Sequence, residues 1–187
     1  MKKISKKHIL ILGLTILIVI ITGSFLFKNN SAKDAKIVAS LESKVLPYVQ
    51  ENIITFYFNR NWCKGLQYNS RSVVEISSSS NNSPCVASAT TFSDSDRLVF
   101  NEISQRLNSV AEEKFRQIDT EYPISYRPEQ ANIPHESIGT AFHIDCSFCR
   151  TRYVYWPHYT QLPPNIEVEI KYIPINESWY KVEQDWN

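Results

Sequence analysis

An uncharged, strongly apolar run from Ile9 to Phe27 constrains the architecture of this 187-residue chain more than any other feature. Four lysines precede the run, and a helix over it would measure about 28 Å, close to the roughly 30 Å hydrocarbon core of a bilayer. Lysine and arginine concentrate on the cytoplasmic flank of membrane helices. We therefore predict a single-pass signal anchor over residues 9–27, with the N-terminus in the cytoplasm and the rest of the chain outside it.

Cleavage of the run as a secretory signal is the alternative. A signal peptide has a shorter apolar core and small residues at its cleavage site. Here Gly23 and Ser24 are followed by Phe25, Leu26 and Phe27, which make a poor site. An uncleaved anchor is therefore favoured. Under both alternatives the C-terminal domain is extracytoplasmic, either periplasmic or extracellular.

Composition limits what the remainder of the chain can bind. The chain has 20 basic and 19 acidic residues, and all the acidic ones follow the apolar run, which four of the lysines precede. The resulting mildly acidic domain has no basic block, which argues against nucleic acid as a partner. Only four glycines occur, so a Gly-rich loop around a phosphate is excluded. We predict no cofactor and no bound metal.

The patterning after the run predicts an α+β fold. Helical spacing of apolar residues predicts a helix over residues 33–46, ended or kinked by Pro47, and a long helix over 96–118. β-rich or alternating segments predict strands over residues 51–59, 73–77, 122–126, 137–146, 150–156, 166–172 and 179–184. We expect one long helix on a mostly antiparallel sheet of about five to seven strands. The predicted segments are a tail (1–8), the anchor (9–27), a juxtamembrane helix or linker (28–52) and the domain (53–187).

The four cysteines predict two disulfides, because an even number in an extracytoplasmic domain is typical of a disulfide framework. Three pairings are open, and we favour Cys63 with Cys85 and Cys146 with Cys149. The Cys146-Ser-Phe-Cys149 motif also fits a redox pair, with Cys146 as nucleophile and Cys149 as resolving thiol, or a metal site that includes His143, with His158 as a further candidate ligand. A redox pair needs a helix after the motif, and zinc needs a second ligand pair. Neither is seen in the sequence, so a structural disulfide is favoured.

His143 and Asp145 are the candidates for acid–base catalysis. They alternate with Phe142 and Ile144, so we expect them on the solvent-facing side of a strand. A His–Asp couple can orient a general base. A solvated strand face, or pairing with arginines of the next strand, explains the same pattern more simply.

The segment from Arg150 to Tyr159 is the candidate binding surface. Arg150 and Arg152 share one strand face and are able to hold a carboxylate or phosphate, although cross-strand ion pairs are the simpler explanation. Trp156, His158 and Tyr159 add aromatic rings that can stack on a sugar or anchor a protein, if they do not serve the core.

These observations predict a membrane-anchored binding or assembly module, stapled by two disulfides and with no catalytic set. Its expected partners are the membrane, through residues 9–27, and an envelope protein or a glycan. The alternative is an exported thiol–disulfide oxidoreductase that uses Cys146 and Cys149. A hydrolase that uses His143 and Asp145 is a weaker third hypothesis.

Overall fold

The structure is a computed structural model, and it describes residues 31–52, 55–59, 63–69, 71–76, 91–110, 113–124, 138–144, 150–157, 159–166 and 169–184. The chain divides into two compact units, Met1–Lys36 and Ile37–Asn187. The second unit contains every strand named below and both hydrophobic cores.

Three helical segments occur in these ranges: α1 over residues 31–44, α2 over Leu46–Asn52 and α3 over Asp94–Asn108. Ile37, Leu41 and Val45 recur at helical spacing and are at most 2 % exposed. Pro47 has no backbone N–H to donate to the carbonyl four residues earlier, which accounts for the interruption between α1 and α2. The predicted helix over 33–46 is therefore present as α1, and a further short helix, α2, follows it with Pro47 in its first turn.

Eight strands form one sheet in which all neighbours are antiparallel. Their order is β3-β2-β1-β4-β5-β6-β8-β7. The strands are β1 Thr55–Asn59, β2 Cys63–Tyr68, β3 Arg71–Ile76, β4 Phe115–Pro123, β5 Ile138–Ile144, β6 Arg150–Tyr155, β7 Ile170–Pro174 and β8 Trp179–Gln184.

The helices cover one side of the sheet, which we call the helix face. Strand residues Phe56, Ile118 and Phe142 belong to the same buried cluster as Phe100 and Ile103 of α3. The rings of Phe56 and Phe100 lie 4.7 Å apart, centroid to centroid. Residues 37–49 add six buried side chains to this cluster, so the core begins well before residue 53.

The opposite side of the sheet, which we call the distal face, has a second and smaller core. Six of its strand residues are buried: Ala141, Val154, Ile170, Tyr172, Tyr180 and Val182. Residues from the β6–β7 connection pack over them, and no helix of the described residues belongs to this cluster. The polar part of the distal face is the candidate functional site.

The structure corrects the predicted fold class. The sheet has eight strands rather than five to seven, and the described residues form a mostly antiparallel β structure with three helices. Within the ranges given above, no helix is both long and apolar enough to cross a bilayer. The predicted anchor over residues 9–27 lies outside the described residues.

The prediction of one helix over residues 96–118 is wrong in its second half. α3 ends at Asn108, where the Ser109 hydroxyl donates to the Arg106 carbonyl at 2.7 Å, and β4 begins at Phe115. Strand β2 was not predicted at all. It contains Gly65 between Lys64 and Leu66, and this sequence shows no alternation of apolar and polar residues.

Candidate functional site

Four neighbouring strands place polar side chains together on the distal face. In the sheet register, Arg152 of β6 lies opposite His143 of β5 and opposite Val182 of β8. Tyr122 of β4 and Gln184 of β8 project from the same face, because they occupy the matching positions of their strands. We call Tyr122, His143, Arg152 and Gln184 the arginine cluster.

Arg152 is the centre of this cluster and is only 9 % exposed. Its Nη1 donates to the hydroxyl of Tyr122 at 3.1 Å, and its Nη2 donates to Oε1 of Gln184 at 2.9 Å. Its Nε is buried without a hydrogen-bond partner in the described part of the chain. Both acceptors are uncharged, and no carboxylate of the described residues forms an ion pair with Arg152.

His143 lies beside Arg152, and its Nε2 is also buried without a described hydrogen-bond partner. Burial lowers the pKa of His143, and the positive charges of Arg152, Arg116 and Arg150 lower it further, to about 3. The imidazole is therefore neutral at physiological pH. The expectation that His143 sits on a solvated face needs correction: the side chain is on the side opposite Phe142, as alternation predicted, but it is largely buried there.

Tyr122 closes the cluster on the β4 side. Its ring meets the ring of His143 edge to face, with centroids 6.0 Å apart, and the guanidinium carbon of Arg152 lies 5.5 Å from the centre of the Tyr122 ring. Burial raises the pKa of Tyr122 above its ordinary value, although the charge of Arg152 and its hydrogen bond act in the opposite direction. The phenol therefore remains protonated at neutral pH.

An aromatic pair continues the distal face beyond the end of β6. Trp156 and Tyr159 are both half-buried, and their rings are nearly parallel, 24° apart in orientation and 6.0 Å between centroids. The hydroxyl of Tyr159 donates to the carbonyl of Asn176 at 2.6 Å, and its ring meets Tyr180 edge to face at 5.9 Å. These contacts fix the orientation of Tyr159. We call Trp156 and Tyr159 the aromatic pair.

The arginine cluster and the aromatic pair lie in line along β6. The side chains of Arg152, Val154 and Trp156 lie on the distal face, at every second position. The amide of Trp156 donates to the carbonyl of Ser178 at 2.8 Å, so the hydrogen bonds between β6 and the start of β8 continue to residue 156. Four residues of strand separate the Cα atoms of Arg152 and Trp156 by roughly 13 Å. The candidate site is therefore an elongated surface with a cationic end and an aromatic end.

The remaining predicted residues are divided between the described and undescribed parts of the chain. Arg150 is exposed on the same face as Arg152, opposite Gln184. His158, Asp145, Cys85, Cys146 and Cys149 lie outside the described residues, and of Cys63 only the backbone is described. The two predicted disulfides therefore lie outside the described residues.

The surroundings of the Cys-x-x-Cys motif bear on the redox alternative. Cys149 is followed directly by strand β6, which pairs antiparallel with β5. The N-terminus of a helix, which would lower the pKa of the first thiol in a redox-active motif, does not follow it. Among the described residues, no group of three or more His, Cys, Asp or Glu side chains is placed to hold a metal.

Two members of the arginine cluster were not found from the sequence. Tyr122 and Gln184 are 30 and 32 residues away from Arg152 in the chain. Only the strand order β4-β5-β6-β8 brings them together, and no local pattern encodes that order. The spacing of Arg150 and Arg152, two residues apart on one strand, identifies Arg152 as a candidate but gives no sign of Tyr122 or Gln184.

Comparison with known proteins adds no relative: no family model, no curated protein and no solved structure matches this chain significantly.

Proposed function

We propose that this chain is a non-catalytic binding module that holds a carbohydrate ligand on the distal face of its sheet. The observation that carries the proposal is the alignment of the aromatic pair with the arginine cluster on one face. Stacked aromatic rings offer flat apolar surface to a sugar ring. The arginine and amide groups beyond them offer hydrogen bonds of the kind that a hydroxyl-rich ligand needs.

A protein partner is less well supported by this surface. The centre of a protein-docking surface usually has large apolar side chains that are exposed in the free protein and become buried when the partner binds. Among the described residues, the large hydrophobic side chains that are most exposed are Leu98 at 72 % and Ile138 at 54 %. Leu98 is on α3, and Ile138 is at the start of β5 on the helix face. The distal face instead presents half-buried aromatics among polar groups.

Catalysis by the arginine cluster is also poorly supported. A general base works best when its pKa lies near the operating pH, and the pKa of His143 is about 3. His143 is therefore a poor general base, and the hydrolase hypothesis has no other candidate for that role. The oxidoreductase alternative gains nothing from the described residues, because a strand follows its motif.

Binding of the full chain to an oligosaccharide array tests the proposal. We expect Trp156→Ala to weaken binding about tenfold or more, as loss of a central aromatic contact does. Leu98→Ala is the matched control, since it removes an exposed apolar side chain from a helix, and it should leave binding unchanged. Thermal unfolding of both variants verifies that they are folded.

The proposal fails if the wild-type chain binds no oligosaccharide on the array. It also fails if folded Trp156→Ala binds as tightly as the wild type, because the ligand would then lie elsewhere.

A further inference from the structure

The charge of Arg152 is the feature of the distal face that carbohydrate binding alone does not explain. An isolated buried charge is costly, and buried arginines are usually paired with a carboxylate. Here the described acceptors are the hydroxyl of Tyr122 and the amide oxygen of Gln184. Neither of them compensates the charge.

The surroundings of Arg152 make this part of the face more electropositive still. Arg150 lies two residues away on the same face, and its charge, with those of Arg116 and Arg152, acts on His143. Because His143 is neutral, it does not add to this charge and is able to accept or donate one hydrogen bond. An anion placed here would be attracted by these guanidinium groups and repelled by the carboxylate of Asp119, whose charge acts on Tyr122 from β4.

Gln184 marks the position that an anionic oxygen would take. Its side chain is half-buried, and its Oε1 stands 2.9 Å from Nη2 of Arg152. A ligand carboxylate that displaced this amide would replace a neutral acceptor with a charged one, and charge-assisted hydrogen bonds are roughly twice as strong as neutral ones. A carboxylate also has the planar shape that matches the guanidinium fork, including the unused Nε–H.

We infer that the arginine cluster is a carboxylate subsite, which selects sugars that carry an acid group, such as uronic acids, over neutral sugars. This inference rests on the proposed carbohydrate function and deepens it: the aromatic pair stacks one ring of the oligosaccharide, and Arg152 receives the carboxylate of another. The roughly 13 Å between the Cα atoms of Arg152 and Trp156 fits a short oligomer lying along β6.

Gln184→Glu provides the sharpest test, because it supplies a carboxylate from the protein itself. The new side chain should pair with Arg152, raise the thermal stability of the chain and occupy the subsite. We expect affinity for uronic acid oligomers, measured by calorimetry with the full chain, to fall about 10- to 100-fold, the range for loss of a hydrogen bond to a charged group. Affinity for the same oligomers with their carboxyl groups reduced to alcohols should fall much less, so that the variant loses the preference for the acidic form.

Two further variants separate the local contact from the general effect of charge. Arg152→Gln should abolish the preference for the acidic oligomer over its reduced form. Lys171→Gln removes an exposed positive charge from β7, on the side of the sheet opposite the arginine cluster, and should keep that preference. In wild-type protein, the acidic oligomer should also slow exchange of the Arg152 Nε proton with water, as observed by NMR.

The outcomes distinguish the subsite from the function on which it rests. If acidic and reduced oligomers bind equally, and Gln184→Glu changes neither affinity, the carboxylate subsite is wrong while carbohydrate binding stands. If neither oligomer binds, both proposals are wrong. If only acidic peptides bind, in a manner that depends on Arg152, the ligand is a protein and both proposals are overturned.

Discussion

His143 is a residue whose ionisation is controlled by its neighbours rather than by its own chemistry. Burial and three arginine charges lower its pKa from the ordinary 6.5 to about 3. In the unfolded chain the same imidazole takes up a proton near pH 6.5. Between these two values the unfolded state therefore binds more protons than the folded state, and acidification favours unfolding.

Replacing His143 should therefore make the free energy of unfolding depend less on pH below pH 7. We expect His143→Gln to lose less unfolding free energy than the wild type as the pH falls from 7 to 4, while the two curves run parallel above pH 7. Urea unfolding at a series of pH values measures this. As a control, His143 itself should show no protonation above pH 4 when its ring resonances are followed by NMR. A His143 pKa near 6 in the folded protein would contradict the prediction.

Gly139 of β5 lies so close to its neighbours that there is no room for even one additional carbon atom. A Cβ at this position would lie 2.7 Å from the carbonyl oxygen of Tyr155 and 2.7 Å from Cδ1 of Ile124. The backbone oxygen belongs to the ladder of β6 and is not free to move away. We expect Gly139→Ala to lower the free energy of unfolding by about 1–3 kcal/mol, the usual cost of overpacking. Denaturant unfolding would refute this if Gly139→Ala were as stable as Gln67→Ala, an exposed strand variant.

At the scale of the element, the first turn of α3 is attached to the β2–β3 hairpin through Asp96. Its carboxylate accepts from the backbone N–H of Ser93 at 2.9 Å and from Nη2 of Arg71 at 3.3 Å, and it also accepts from the hydroxyls of Ser93 and Tyr68. Burial alone would raise the pKa of Asp96. The hydrogen bonds from Ser93 and Tyr68 and the charge of Arg71 outweigh burial and hold the pKa below its ordinary value.

Asp96→Asn should thus destabilise the protein far more than the same change two residues earlier. Asp96 is fully buried and Asp94 is exposed in the same helical turn. We expect a loss of roughly 3 kcal/mol for Asp96→Asn, typical of breaking a buried charged network, and less than about 1 kcal/mol for Asp94→Asn. Because the folded pKa is lowered, the contribution of Asp96 is present above its unfolded pKa and disappears as the pH falls below it. Equal losses in the two variants, measured in urea at pH 7, would refute this role.

The β7 edge of the sheet is closed against pairing with another strand. The outward amide of Ile170 donates to the carbonyl of Ile166 at 3.1 Å, and that of Tyr172 donates to Oδ1 of Asn165 at 2.8 Å. The next outward position is Pro174, which has no N–H. Natural sheets protect their edges in this way against aggregation.

Asn165→Ala should expose the amide of Tyr172 alone. We expect its hydrogen exchange to accelerate by roughly fivefold, the equivalent of one hydrogen bond of about 1 kcal/mol. The amide of Lys171 points toward β8, since the direction alternates along an edge strand, and its exchange should not change. Exchange followed by NMR distinguishes this local effect from global destabilisation, in which both amides would accelerate together.

At the scale of the whole molecule, the sequence was informative where a segment makes its contacts locally. The alternation of β6 placed Arg150 and Arg152 on one face, and helical spacing located α1 and α3. The spacing misled at Phe115 and Ile118, which continue a three- and four-residue rhythm by chance after the helix has ended at Asn108. The eight-strand order, and with it the arginine cluster, depends on long-range pairing that no local pattern contains.

The boundary of the domain shows the same dependence on tertiary contacts, and it can be tested by truncation. The sequence predicts that residues 28–52 are a juxtamembrane helix or linker outside the domain, yet six residues of that segment are at most 4 % exposed in the main core: Ile37, Val38, Leu41, Val45, Leu46 and Val49. At about 2 kcal/mol for each buried side chain, their loss amounts to on the order of 10 kcal/mol, comparable to the whole stability of a domain. A chain that lacks residues 1–52 should consequently fail to unfold cooperatively, whereas one that lacks residues 1–30 should retain a sharp transition. Near-ultraviolet circular dichroism during urea unfolding makes the comparison, and a cooperative transition in the shorter chain would show that α1 and α2 are dispensable to the core.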